Sequence, residues 1–266
     1  MRARSALRHF LDGWRVQKRV IHALMIRELH TRFGRDNIGF LWIMVEPLLF
    51  AGAVGALWTV VKGPQSHGMG IVAFVASGYI PLTFMRHSFS KAANVFVANG
   101  SLLYHRQIKI TDFIFVRILI EAIGSMMAYV FLMLALYNFG LFPIPANPAM
   151  LIAGWSIYVL FVLSFCMIIA PLSEMSEVVE KFLPVSTYIA IPLSGTFNMA
   201  SWLTPEARSY LLWSPLVSGM EMMRYGLFGS VVTPYYDVSR SVGISLVFLL
   251  IGLSLSRHVR RILVVQ

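Results

Sequence analysis

Charge is scarce in this chain of 266 residues. Asp, Glu, Lys and Arg make up 13% of it, about half the ~25% of a soluble domain. With 58% hydrophobic residues and a mean hydropathy of +0.72, this excludes a water-soluble globular domain and predicts a polytopic membrane protein in which one bundle accounts for the whole length. Cysteine is nearly absent: Cys166 alone, inside an apolar run, leaves no disulfide framework and no Cys-based metal site. No GxxxxGK[ST] segment occurs, which excludes a P-loop, and no HExxH occurs. His9, His22, His30, His67, His87, His105 and His258 all fall in loops or at the ends of apolar runs. A serine–histidine pair at mid-depth is therefore not expected, and Ser194 reads as a small packing residue. The opening MRARSALRHFLDGW has no apolar core and no small-residue cleavage site, so the first span is expected to serve as an uncleaved membrane signal.

What charge there is has one sign. The formal net charge is +10, and because the basic residues lie between apolar spans they read as positive-inside asymmetry, with no nucleic acid expected as a partner. Arg2, Arg4, Arg8, Arg15, Lys18, Arg19, Arg27, Arg32 and Arg35 precede the first span. Within that arm the spacing predicts an amphipathic helix over Lys18–Phe33, with Ile21, Met25, Leu29 and Phe33 in an i+4 row and Glu28 placed to pair with Arg32. An interfacial helix on the cytoplasmic leaflet fits. The plain alternative is a solvated basic arm that only fixes orientation.

Six spans are expected: Ile38–Val61, Ile71 onward, Phe113–Phe142, Ala149–Leu172, Phe182–Leu203 and Ser241–Leu255. The second stays uncharged only to Met85, so it either extends past Arg86 towards Lys91 or breaks at Gly78–Pro81. Leu211–Phe228 is apolar but short and carries Glu221 and Arg224, the pattern of a re-entrant or interfacial hairpin before the last span. With six spans both termini share a side. Eighteen Lys and Arg then lie on that side against four (Lys62, Arg208, Arg224, Arg240) on the other, which places both termini in the cytoplasm. The chain divides into a cytoplasmic segment 1–37, a membrane domain 38–256 and a tail 257–266.

Glu46, followed by Pro47, is the one ionisable group deep in span one. A charge there costs roughly 2.5–3.5 kcal/mol on insertion scales, and the proline frees a backbone carbonyl that lipid cannot satisfy. Both residues predict a helix facing protein or a polar cavity. Arg117 and Glu121, one turn apart in span three, are placed to neutralise each other. From the residues alone, the chain reads as a six-span transporter subunit or a structural membrane protein, energised elsewhere, and its substrate is not legible. A lipid-glycan enzyme and an ion-driven secondary carrier stay open.

Several segments, in this order, resemble the membrane permease of ABC-type polysaccharide exporters, and within them the capsular polysaccharide branch. They are Arg27-Glu28 with Thr31-Arg32-Phe33-Gly34, Ile38-Gly39-Phe40-Leu41-Trp42 with Glu46-Pro47, and Ser101-Leu102-Leu103-Tyr104-His105-Arg106 with Arg117 and Glu121. Pro192-Leu193-Ser194-Gly195 and Leu212-Trp213-Ser214-Pro215 with Glu221 and Arg224 complete the set. Permeases for O-antigen and teichoic acid share the architecture. The resemblance implies an all-α fold with no enzymatic site or cofactor of its own, ATP and Mg being held by a separate subunit. It implies a homodimer with two ATP-binding cassette subunits, a periplasmic adaptor and an outer-membrane channel, moving a lipid-linked polysaccharide across the inner membrane. It further implies that Leu102, Leu103, Tyr104 and Arg106, with Glu174 and Glu177, couple to the ATPase, and that Arg27, Glu28, Arg32 and Arg35 lie on a gate or interface helix. Trp42, Trp213, Tyr225 and Arg224 are candidates to line the polymer path; Trp58, Tyr137, Trp155 and Tyr158 are further aromatics able to stack on sugars.

Overall fold

Long apolar runs in a chain with few turn signals dictate helices, because every backbone polar group can then be satisfied within its own segment. A computed structural model describes residues 2–33, 38–63, 65–66, 68–96 and 109–263, with side chains left out at 2–11, 32–33, 38–44, 46–48, 62, 66 and 260–263. The helices are α1 (Arg2–Phe33), α2 (Ile38–Lys62), α3 (Ile71–Ala93), α4 (Ile110–Asn138), α5 (Pro148–Met175), α6 (Glu177–Leu193), α7 (Pro205–Leu211), α8 (Pro215–Phe228) and α9 (Val238–Leu263). A two-stranded antiparallel hairpin, β1 (Gln65–Ser66) and β2 (Met69–Gly70), joins α2 to α3. The fold is all-α in its architecture, as expected. Among the described residues, three helices are long and apolar enough to cross a membrane: Ile110–Asn138, Pro148–Met175 and, within α9, Val238–Val259. The described apolar part of α2 is Leu49–Val61.

Helix starts follow local chemistry. Asn147 Oδ1 accepts the Met150 N–H at 3.2 Å and Pro148 opens α5; Thr204 Oγ1 accepts the Ala207 N–H at 3.4 Å and Pro205 opens α7. Each pairs a side-chain acceptor with a proline whose missing N–H costs nothing in the first turn. Asp237 accepts the Arg240 N–H at 2.9 Å and the Ser239 hydroxyl at 2.8 Å, bonds that hold its carboxyl below the usual range.

Helix α5 is the centre of the bundle, with α8 and α9 packed along it and α3 and α4 beside them. Absent side chains set the approach. A Cβ on Gly154 would lie 2.7 Å from both the Gly219 carbonyl oxygen and the Met223 nitrogen, and one on Gly226 would lie 2.5 Å from the Leu151 nitrogen. Small residues thus let the α5 and α8 backbones touch, the usual route to tight helix pairs where lipid supplies no hydrophobic drive between them. Trp155 and Tyr158 are buried on α5, their rings 6.3 Å apart, with Phe84 5.1 Å from Trp155. Both are packed into the core of the single chain.

The helix limits decide one open expectation and differ from two others. Helix α3 runs unbroken through Pro81 to Ala93, so the extended reading of span two holds. The expected fifth span, Phe182–Leu203, instead starts at Glu177 and stops at Leu193. Gly195 then takes a φ of 72°, a left-handed turn that suits glycine, and the Ser194 hydroxyl bonds back to the Ile191 carbonyl at 2.6 Å. Helix α1 begins well before Lys18. On it Val20, Ile21, Leu24 and Met25 pack against the core while Leu29 is exposed, so the buried row is shifted from the one the i+4 spacing suggests.

Candidate functional site

Two polar clusters occupy opposite ends of α3. The first is built on α8, of which all but Tyr225 and Phe228 among its residues are buried. Arg224 is 0% exposed. Its guanidinium donates to the carbonyls of Gly195 at 2.7 Å, Asn198 at 3.2 Å and Thr196, and lies 4.0 Å over the Phe74 ring. A Cβ at Gly78 would meet the Thr196 oxygen at 2.6 Å and an Arg224 nitrogen at 2.7 Å, so α3 makes room for this contact by lacking a side chain there. Glu221, one turn earlier, accepts the Ala200 N–H at 2.9 Å and the Tyr235 N–H at 3.4 Å. The i,i+3 pair therefore spends its hydrogen bonds on loop backbone. Together the two residues fix the end of α6, the Ala200–Trp202 turn and the entry to α9 onto one helix. Arg208 does the same nearby, donating to Ala200 at 2.8 Å and Leu203 at 3.1 Å with the Tyr235 ring 4.0 Å away.

At the other end Glu121, 3% exposed on its side chain, takes Lys91 Nζ at 2.6 Å and stands 3.4 Å from His87 Nδ1. Arg117 turns the other way, to Glu28 of α1 at 3.3 Å and to the Lys91 carbonyl at 3.1 Å. Gln17 of α1 donates to Asp112 at 2.6 Å. The expected Arg117–Glu121 neutralisation within one helix is replaced by pairs between helices, which tie α1, α3 and α4 together. Glu28 likewise reaches across to α4. Gln17, Ile21, Leu24 and Glu28 follow a heptad-like spacing, and that row is the sequence signal that marks the docked face.

The remaining candidates divide plainly. Arg27 is half-buried on α1 and Trp213 is 63% exposed, with Arg240 5.1 Å from its ring. Tyr225 is half-buried, whereas Arg224 lies in the interior with its donors on carbonyls. Glu174 and Glu177 are exposed on either side of the Ser176 break, Glu177 pairing with Lys181 at 3.4 Å. Trp42, Glu46 and Pro47 fall within the α2 backbone, and Arg32 within α1, but their side chains lie outside the described residues, as do Arg35, Leu102, Leu103, Tyr104 and Arg106 altogether.

Apolar crossing helices wrapped around buried charge that is spent on backbone and on neighbouring helices define a multi-pass α-helical membrane protein. The chain belongs to the ABC-2 type transporter family, which matches residues 19–228. It is 33% identical over 249 residues to the capsule polysaccharide export inner-membrane protein BexB of Haemophilus influenzae, covering 94% of each chain. It is 36% identical over 245 residues to CtrC of Neisseria meningitidis serogroup A, a protein of the same description, covering 92% of each. The polysialic acid transport protein KpsM of Escherichia coli is 26% identical over 246 residues, 92% of this chain and 95% of its own.

Proposed function

We propose that this chain is the inner-membrane permease of an ATP-driven exporter that carries a lipid-anchored capsular polysaccharide from cytoplasm to periplasm. The observation that carries the reading is its similarity, over nearly the full length, to inner-membrane proteins of capsule polysaccharide export. In this reading the chain crosses six times with both termini cytoplasmic, and α7 and α8 form the re-entrant element before the last crossing. Segment 1–37 holds the interface helix and 257–266 the tail. Two copies form the channel, and two ATPase subunits dock on the cytoplasmic face. Leu102, Leu103, Tyr104 and Arg106 would carry the main ATPase contact and Glu174 and Glu177 a second.

Burial pattern supports a second copy. Helix α6 buries only Leu183 and Thr187, while Val178, Phe182, Val185 and Ile189 are exposed, as are Leu57 and Val60 of α2. An apolar face this bare on a helix with three charges in its first turns and two prolines suits a subunit interface or channel wall better than lipid alone. The test is complementation. In a capsulated bacterium lacking its own inner-membrane permease, the chain expressed with its ATPase should return polymer to the cell surface, measured by anticapsular staining. Polymer that stays intracellular despite normal membrane levels of both proteins would refute the proposal. Reporter fusions after Gln266 should read cytoplasmic; a periplasmic signal there would remove the six-span topology.

A further inference from the structure

The C-terminal half of α3 and the N-terminal half of α6 enclose a cleft of ≈ 410 Å³, within the roughly 300–1,000 Å³ of small-ligand sites. Its walls are mostly polar. Arg86, Ser90 and Asn94 recur every fourth residue along α3, and Glu180, Thr187 and Tyr188 share one face of α6. The Arg86 guanidinium lies 5.1 Å from the Tyr188 ring, so these two meet at the inner end. Asn94 and Glu180 stand eight residues nearer their helix ends, about 12 Å along each axis, and form the mouth. Tyr188 is 60% exposed, and Ser90, Asn94 and Glu180 are exposed as well. Among the described residues no ion pair joins Arg86 to Glu180. The Thr187 hydroxyl donates to the Pro184 carbonyl at 2.6 Å and the Asn94 amide to the Ser90 carbonyl at 3.3 Å, which leaves both side-chain oxygens able to accept.

We propose that this cleft is a glycan subsite, holding a short run of hydroxyl-bearing sugar rings as the polymer enters from the cytoplasm. A sugar ring carries donors and acceptors around its rim and an apolar C–H face. Arg86 supplies donors only and ionised Glu180 acceptors only, while Ser90 and Asn94 supply both. The open Tyr188 ring adds a flat apolar surface for the C–H face. Ligands of one character leave part of this set unused. An inorganic anion would engage Arg86 but neither Glu180 nor the ring, and an acyl chain would strip water from polar walls without replacing their hydrogen bonds. The subsite rests on the export reading and adds to it a binding place built from two helices remote in sequence. In the six-span topology the end of α3 and the start of α6 are both cytoplasmic, which puts the mouth on the loading side.

The test is calorimetric titration of the full chain in mild detergent with short oligosaccharides cut from the capsular polysaccharide of the producing bacterium. Arg86→Gln and Glu180→Ala should each weaken binding roughly tenfold, the scale of one charge-assisted hydrogen bond. Tyr188→Ala should weaken it as well, and Tyr188→Phe, which keeps the ring, should not. Gly124→Ala, on α4 with open space at its Cβ, should bind as the unaltered protein does. Position is read independently in Ser90→Cys. The one native cysteine, Cys166, is buried, so maleimide labelling reports the cleft wall, and saturating oligosaccharide should slow it several-fold. No binding by the unaltered chain, undiminished binding in all three cleft variants, or unprotected labelling at saturation would overturn the assignment, as would displacement by millimolar inorganic phosphate. Surface polymer in the complementation assay separates the two readings. Export without oligosaccharide binding removes the subsite and leaves the exporter; binding without export removes the exporter alone.

Discussion

Replacing Arg224 separates a structural role from a place on the polymer path. In Arg224→Met the side chain keeps its length and apolar stem but leaves the carbonyls of Gly195, Thr196 and Asn198 without their donor and the Phe74 face without its cation. Each buried acceptor left unpaired costs about 1–3 kcal/mol, and the lost ring contact adds about 0.5–2 kcal/mol. Against this, methionine avoids the desolvation of a buried guanidinium, which returns several kcal/mol. The net expectation is a loss of about 3–5 kcal/mol, or roughly 10 °C in melting temperature at 2–4 °C per kcal/mol. Arg224→Lys should fall between, because one ammonium cannot span three divergent carbonyls. Fluorescence-detected size-exclusion after heating measures the shift, with transport assayed at matched folded levels. A methionine variant as stable as the unaltered protein yet inactive in export would refute the structural assignment and restore Arg224 to the polymer path.

Gly154→Ala should destabilise by at least about 2–3 kcal/mol, since the new Cβ meets backbone atoms that cannot yield. Gly124→Ala, with nothing within 4 Å of its Cβ, should be neutral or slightly stabilising in the same melting assay; equal effects at the two sites would sink the close-packing argument. Glu121→Gln should cost about 1–3 kcal/mol by stranding Lys91, and Lys91→Met should partly rescue it, a coupling read from a double-mutant cycle. Leu102→Ala with Leu103→Ala should leave insertion normal but lower recovery of the ATPase by several powers of ten, at ~1.5–3 kcal/mol per buried leucine; undiminished pull-down would remove the coupling assignment.

Properties that sum along the chain were legible from residues alone. Hydropathy located α4, α5 and α9 to within a few residues, except that α9 runs on through its basic C-terminal turns, because a run of apolar side chains needs no knowledge of its neighbours to be a helix in lipid. The caps at Asn147-Pro148 and Thr204-Pro205 are local too, although it was the structure that identified them. The short apolar character of Leu211–Phe228 was visible too, and with it the fact that Glu221 and Arg224 need partners. Which partners they take was not. Two charges one turn apart on a helix are the nearest pair in sequence, yet Arg117 pairs with Glu28 and Glu121 with Lys91. Glu221 and Arg224 turn to the backbone around Gly195–Ala200, and α6 stops at Leu193 to present those carbonyls. The physical reason is that a buried ion chooses among all donors and acceptors within about 3 Å. Where glycines such as Gly78, Gly154 and Gly226 let the helices meet decides which groups those are, and a one-dimensional pattern carries no interhelical distance.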